Sequence, residues 1–124
     1  MVGMRLVSPL AVMVMTAACG GASYGLPDRT DDRVKATEDE LAQVVGAARG
    51  GDDCDVRLLA ESDGRSFVWA ECFGASGGIS APMRVDGNKV QLPGDGGLYA
   101  DDVRRLFPKD LADAILTDQE RLRP

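Results

Sequence analysis

The chain has 124 residues, a formal charge of −6 and no histidine. Its length holds one small domain at most. The negative charge repels nucleic-acid phosphates and anionic membrane surfaces alike, and the missing imidazole removes Ser-His-Asp and Cys-His catalysis together with every His-containing metal site.

Residues 1–5 carry one positive charge and 6–18 form an almost unbroken apolar run. The run falls short of the ~20 residues that span a bilayer as a helix, so 1–18 reads as a signal peptide rather than a membrane anchor. It ends in Thr16-Ala17-Ala18-Cys19, followed by Gly20-Gly21. This stretch resembles the lipobox of bacterial lipoproteins, with Thr16 where that family usually has Leu. The resemblance covers only the signal segment. It implies that Cys19 is acylated, palmitate being the type of chain expected, and becomes the mature N-terminus. Two acyl chains would hold the protein stably on the extracytoplasmic face of the cell membrane. The alternative is an ordinary secretory signal cut near Ala18, which would release a secreted protein. Three cysteines fit lipidation of Cys19, because it leaves Cys54 and Cys72 as an even pair in an oxidising compartment. The 11 Arg against 3 Lys suit a high-GC, Gram-positive type of genome.

Residues 19–36 are rich in Gly, Ser, Pro and acidic groups and read as a flexible tether, with Tyr24 and Leu26 as solvated linker residues. Thr37-Glu38-Asp39-Glu40 has the form of a capping box. Leu41, Val44, Val45 and Ala48 follow at helical spacing, so the folded domain is expected to begin at Thr37 with a helix of about twelve residues that stops at Gly50-Gly51. Asp52, Asp53 and Asp55 surround Cys54 without the spacing of a calcium loop, and are expected to be a solvated turn rather than a metal site.

Between Cys54 and Cys72, two strand-like runs flank Ser62-Asp63-Gly64. A two-residue turn at Asp63-Gly64 would leave the cysteines on opposite faces. A three-residue loop closing on Glu61 and Arg65 sets Cys54 opposite Cys72 and permits a disulfide, which selects that register. Cys54, Val56, Leu58 and Ala60 then share a core face with Ser66, Val68, Ala70 and Cys72. The opposite face carries Arg57, Leu59, Phe67 and Trp69, with Leu59 opposite Phe67 and Arg57 stacked on Trp69. That face is either covered by a helix or offered to a partner.

Phe73-Gly74-Ala75-Ser76-Gly77-Gly78 reads as a flexible link. A second hairpin of strands 79–85 and 89–92 turns at Gly87-Asn88, pairing Val85 with Val90, and Pro82 marks an edge strand or a late strand start. Asp101 or Asp102 is expected to cap a short helix ended by Pro108. A last helix then uses Leu111, Ala114 and Ile115, and 117–124 is expected to fray. Arg104 and Arg105 read as exposed, paired with Asp101 or Asp102.

The expected fold is α+β over 37–124: an N-terminal helix, a four-stranded antiparallel meander of two hairpins with one disulfide, and one or two short C-terminal helices. At fold level this is similar to cystatin-like domains, small secreted bacterial inhibitors and PepSY-type modules, although no motif supports any one of them, and a fold alone does not carry function. The expected function is a non-enzymatic binding or accessory domain of a membrane-anchored envelope lipoprotein. It would need no cofactor or metal, have no nucleic-acid partner, and bind an envelope protein through Arg57, Phe67 and Trp69 or through the glycine link. The alternatives are a secreted enzyme inhibitor and, more remotely, a hydrolase built on two carboxylates drawn from the 20 acidic residues.

Overall fold

The structure is a computed structural model and describes residues 25–75 and 77–124; the signal segment, Cys19 and Tyr24 lie outside the described residues. A helix, α1 (Asp32–Ala48), precedes four strands: β1 (Asp53–Ser62), β2 (Arg65–Gly74), β3 (Gly77–Asp86) and β4 (Lys89–Gln91). A 3-10 turn (Gly96–Leu98) then leads into α2 (Tyr99–Leu106), α3 (Lys109–Thr117) and α4 (Gln119–Leu122). The strands form one antiparallel sheet in sequence order, so the expected α+β meander is the fold. The sheet is the middle of three layers. Leu41 and Val45 of α1 pack with Val56, Leu58, Val68, Ala70 and Met83 on one face. Val103, Leu106, Leu111, Ile115 and Leu122 pack on the other, against Leu59, Phe67 and Trp69.

Helix α1 begins five residues before the expected Thr37, at Asp32, and Asp31 is its N-cap, accepting a hydrogen bond from the Arg33 amide at 2.8 Å. Two capping signals compete, and the earlier one prevails because no residue between them breaks a helix and each added residue contributes one more backbone bond. The extension also adds Val34 to the apolar stripe. At the other end, Gly50 and Gly51 both adopt positive φ, and their amides bond back to Ala47 and Gly46 at 3.1 and 2.8 Å, closing a Schellman motif. Leu26 is not a solvated linker residue: it packs against the C-terminal layer, so the ordered chain extends ahead of 37.

The first hairpin departs from expectation near its turn and agrees with it farther out. Asp63 (φ 55°) and Gly64 (φ 78°) form the two-residue turn, closing Ser62 on Arg65. The register then shifts by one between Leu58 and Ala60, and beyond this bulge Leu58 faces Val68, Arg57 faces Trp69 and Cys54 faces Cys72. Turn chemistry and cysteine pairing are thus reconciled by one extra residue in β1, a device that spacing alone does not reveal. Because of the bulge, Ala60 rather than Leu59 lies opposite Phe67, and both Leu59 and Ala60 pack on the C-terminal layer. Cys54 and Cys72 are disulfide-bonded, with Cα atoms 4.0 Å apart as in a close, non-hydrogen-bonded pair.

The expected flexible link is instead a tight hairpin. Gly74 pairs with Gly77, and Phe73 pairs with Gly78, so that β2 and β3 run together along their whole lengths. A Cβ on Gly78 would come within 2.8 Å of the Phe73 ring, so the ring lies over the glycine and supplies the packing that residue lacks. The second hairpin turns at Gly87-Asn88 as expected and pairs Val85 with Val90. Pro82 lies well inside β3, opposite Trp69, but β4 pairs only with Arg84, Val85 and Asp86. The outer side of β3 at Pro82 is therefore a local edge, where a missing N–H breaks no ladder bond.

The C-terminal helices begin and end close to expectation, with two differences. Asp101 and Asp102 sit in the first turn of α2 rather than capping it; Asp102 accepts from the Gly94 amide at 2.8 Å and pairs with Arg105 at 3.0 Å. The end of the chain does not fray in solvent: α4 places Leu122, fully buried, in the core. Polarity at most positions over 117–124 obscured that single anchor.

Gly46 lies where α1 crosses the entry to β1, and a Cβ there would stand 2.6 Å from the Asp52 carbonyl oxygen. Since backbone cannot give way as a flexible side chain can, Gly46→Ala is expected to lower stability by about 1–2 kcal/mol despite alanine's better helix propensity, as measured by urea denaturation.

Candidate functional site

The residues singled out from the sequence do not form an open face. Phe67 and Trp69 are each only 3 % exposed, covered by the C-terminal helices, and the Phe67 ring packs on Phe107 with centroids 5.7 Å apart. Arg57 does not end over Trp69. Its guanidinium donates to the backbone carbonyls of Arg121 at 2.8 Å and Arg123 at 3.3 Å, placing a cation at the C-terminal end of α4. Burial, with Arg29 as a second cause, holds the Arg57 pKa below its ordinary value. Arg57, Phe67 and Trp69 are therefore joints between the sheet and its C-terminal layer. A mixed aromatic and charged strand face looks the same in sequence whether a helix or a partner covers it.

The expected acidic turn is in fact the start of a strand, Asp53 and Asp55 pairing in β1 with Phe73 and Glu71. Asp52 pairs with Arg49 at 3.2 Å, and among the described residues no group of three Asp, Glu or Cys side chains converges as ligands would.

Two other constellations stand at the edges of the sheet. On the β1 edge, Glu38 of α1 is 6 % exposed and accepts a hydrogen bond from the Leu58 amide at 2.8 Å. Arg29 holds the same carboxylate at 3.1 Å and donates to the Val56 carbonyl at 3.4 Å. A carboxylate and a guanidinium thus take the places that the C=O and N–H of a neighbouring strand would occupy, closing this edge to other chains. Glu38 reads in sequence as one acid of a capping box, but its spacing from Val34, Leu41 and Val45 put it on the apolar stripe, and that signal foretells burial.

Around β3, Trp69 Nε1 donates to Ser80 Oγ at 2.9 Å, and Ser80 Oγ donates to Glu71 Oε2 at 3.0 Å. Arg123 completes the chain, donating to Glu71 through Nε and a terminal nitrogen at 3.0 and 2.8 Å. The Arg123 guanidinium, and after it the Ser80 hydroxyl, hold the Glu71 carboxyl below the usual glutamate range. Next to this chain the outer edge of β3 opens into two clefts of about 410 Å³ each, which share Ile79 and Ser80. One is bounded by Tyr99, Leu92, Pro93 and Asp95; the other reaches Phe73, which is 66 % exposed. The two clefts adjoin along the outer edge of β3, where they form a groove. Sequence patterning located β3 and the short β4, and Pro82 signalled the edge; the clefts beside it were not foreseen. No family model, curated protein or solved structure shows significant similarity to the chain.

Two outcomes test these constellations. Glu38→Ala leaves the Leu58 amide and the Arg29 guanidinium without their partner and is expected to cost about 2–3 kcal/mol in denaturant unfolding, with Glu38→Gln costing less because it retains an acceptor. For Glu71, a folded-state pKa below the unfolded value of about 4.3 means that its contribution is complete above that pH and disappears as pH falls through the lower folded value. A carbon-detected titration should give Glu71 a midpoint below the ordinary range in the wild type and one shifted upward in Arg123→Ala; equal midpoints would remove Arg123 as the cause.

Proposed function

We propose that the protein is a lipoprotein of the cell envelope, anchored through acylated Cys19, whose folded domain binds another envelope component rather than transforming a substrate. The observation that carries this is the apolar segment ending in Thr16-Ala17-Ala18-Cys19-Gly20-Gly21, a few residues ahead of an ordered, disulfide-bonded domain. Leu26 already packs on the core, only seven residues after Cys19. A chain of that length spans about 25 Å at most, so an acylated Cys19 would keep the domain close against the membrane surface. Among the described residues no helix is long and apolar enough to cross a membrane, and in this reading attachment rests on the lipid. The groove along β3 is the surface through which binding takes place, in place of the Arg57, Phe67 and Trp69 face.

Metabolic labelling with an alkyne fatty acid tests the anchor. The wild-type chain is expected to carry label and to partition with membranes, and Cys19→Ala to lose both. Equal labelling of the two would end the lipoprotein assignment and leave a plainly secreted protein.

A further inference from the structure

The two edges of the sheet are treated differently. Side chains of Arg29 and Glu38 occupy the backbone groups of β1 at Val56 and Leu58. On the other side β4 has only three residues, and its ladder with β3 ends at Arg84. The two-residue turn at Gly87-Asn88 makes Asp86 and Lys89 a hydrogen-bonded closing pair, so the backbone groups of every second residue of β3 point the same way. Those of Arg84 meet β4. Those of Pro82, Ser80 and Gly78 point past its end. Pro82 contributes only a carbonyl, while Ser80 and Gly78 each present an N–H and a C=O to the groove.

We infer that this edge receives an extended segment of a partner polypeptide as an added strand, with a basic side chain directed at Asp95. The inference rests on the domain being a binding module. Strand addition suits a groove whose floor is an unpaired strand and whose walls come from both faces of the sheet, Ile79 and Leu92 on one side and Trp69 and Tyr99 on the other. Asp95 supplies the charge preference: it is exposed, lines the groove, and among the described residues makes no ion pair. At the far end, Glu71 is already matched by Arg123, and the exposed Phe73 ring, resting on Gly78, gives an apolar contact. A second copy of the chain fits less well. Symmetric antiparallel pairing about Ser80 would set Pro82 opposite Gly78 twice and lose a ladder bond each time, while bringing together two chains of charge −6.

The test uses the full-length chain in detergent micelles and a displayed library of random heptapeptides. Enriched peptides are expected to carry a Lys or Arg and to protect the Gly78 and Ser80 amides from hydrogen exchange. Ser80→Pro, which removes an edge donor, should weaken them about tenfold. Ser80→Ala, which loses the same hydroxyl but keeps the amide, should not. Asp95→Asn should weaken them about threefold and abolish the preference for a basic residue. Alternating N-methylation of an enriched peptide probes the same bonds from the ligand side, should Ser80→Pro fail to fold. The proposal is overturned by a library that yields no enrichment, by peptides indifferent to Ser80→Pro and to N-methylation, or by protection already present in the peptide-free chain through self-association. Peptides that protect amides elsewhere would refute the edge while leaving a binding module intact, and none of these results depends on whether Cys19 is acylated.

Discussion

The register of β1 on β2 is the constraint on which both cores depend. Each face of the sheet is covered, so a slip of one residue would drive Val56 and Leu58 away from α1 and exchange the side chains that meet the two helical layers. The Cys54–Cys72 disulfide pins that register at one end of the hairpin, and the Asp63-Gly64 turn pins it at the other. The two ends disagree by one residue. The bulge at Leu59 absorbs the difference, and it does so where the extra side chain has somewhere to go, among Phe67, Trp69 and the C-terminal helices.

Around this hairpin the charged groups are placed at boundaries rather than inside the cores. Glu38 and Arg29 complete the backbone of β1, Arg57 meets the carbonyls at the end of α4, and Arg123 and Glu71 fasten the last residues to β2. A domain this small gains little from its core alone, and each of these contacts satisfies a backbone or side-chain group at the margin of a layer. The outer strand of the meander is the exception. With β4 reduced to three residues, the middle of β3 has no neighbouring strand on its outer side.

The elements themselves were legible because their signals are local. Apolar spacing in α1, the Gly50-Gly51 stop, the Gly87-Asn88 turn and the Pro108 boundary each depend on a few adjacent residues, and each appears as expected. The Arg57, Phe67 and Trp69 face was left open between a covering helix and a partner for the complementary reason. Whether Phe67 and Trp69 meet solvent depends on where α2, α3 and α4 dock, and that docking draws on Val103, Leu106, Leu111 and Ile115 together with Leu122, an isolated apolar residue in a polar tail. Glu38 was placed in a capping box because Thr37 precedes it, although its position on the stripe with Leu41 marked it as buried.

By itself the amino-acid sequence determined the order of helix and strands and the pairing of Cys54 with Cys72, since each follows from residue type and short-range spacing. Tertiary structure alone decided the rest: the bulge that lets a two-residue turn coexist with the disulfide, the burial of Trp69, and the closing of the β1 edge by Glu38 and Arg29. These depend on which surfaces of distant segments meet, and such long-range packing leaves no periodicity along the chain.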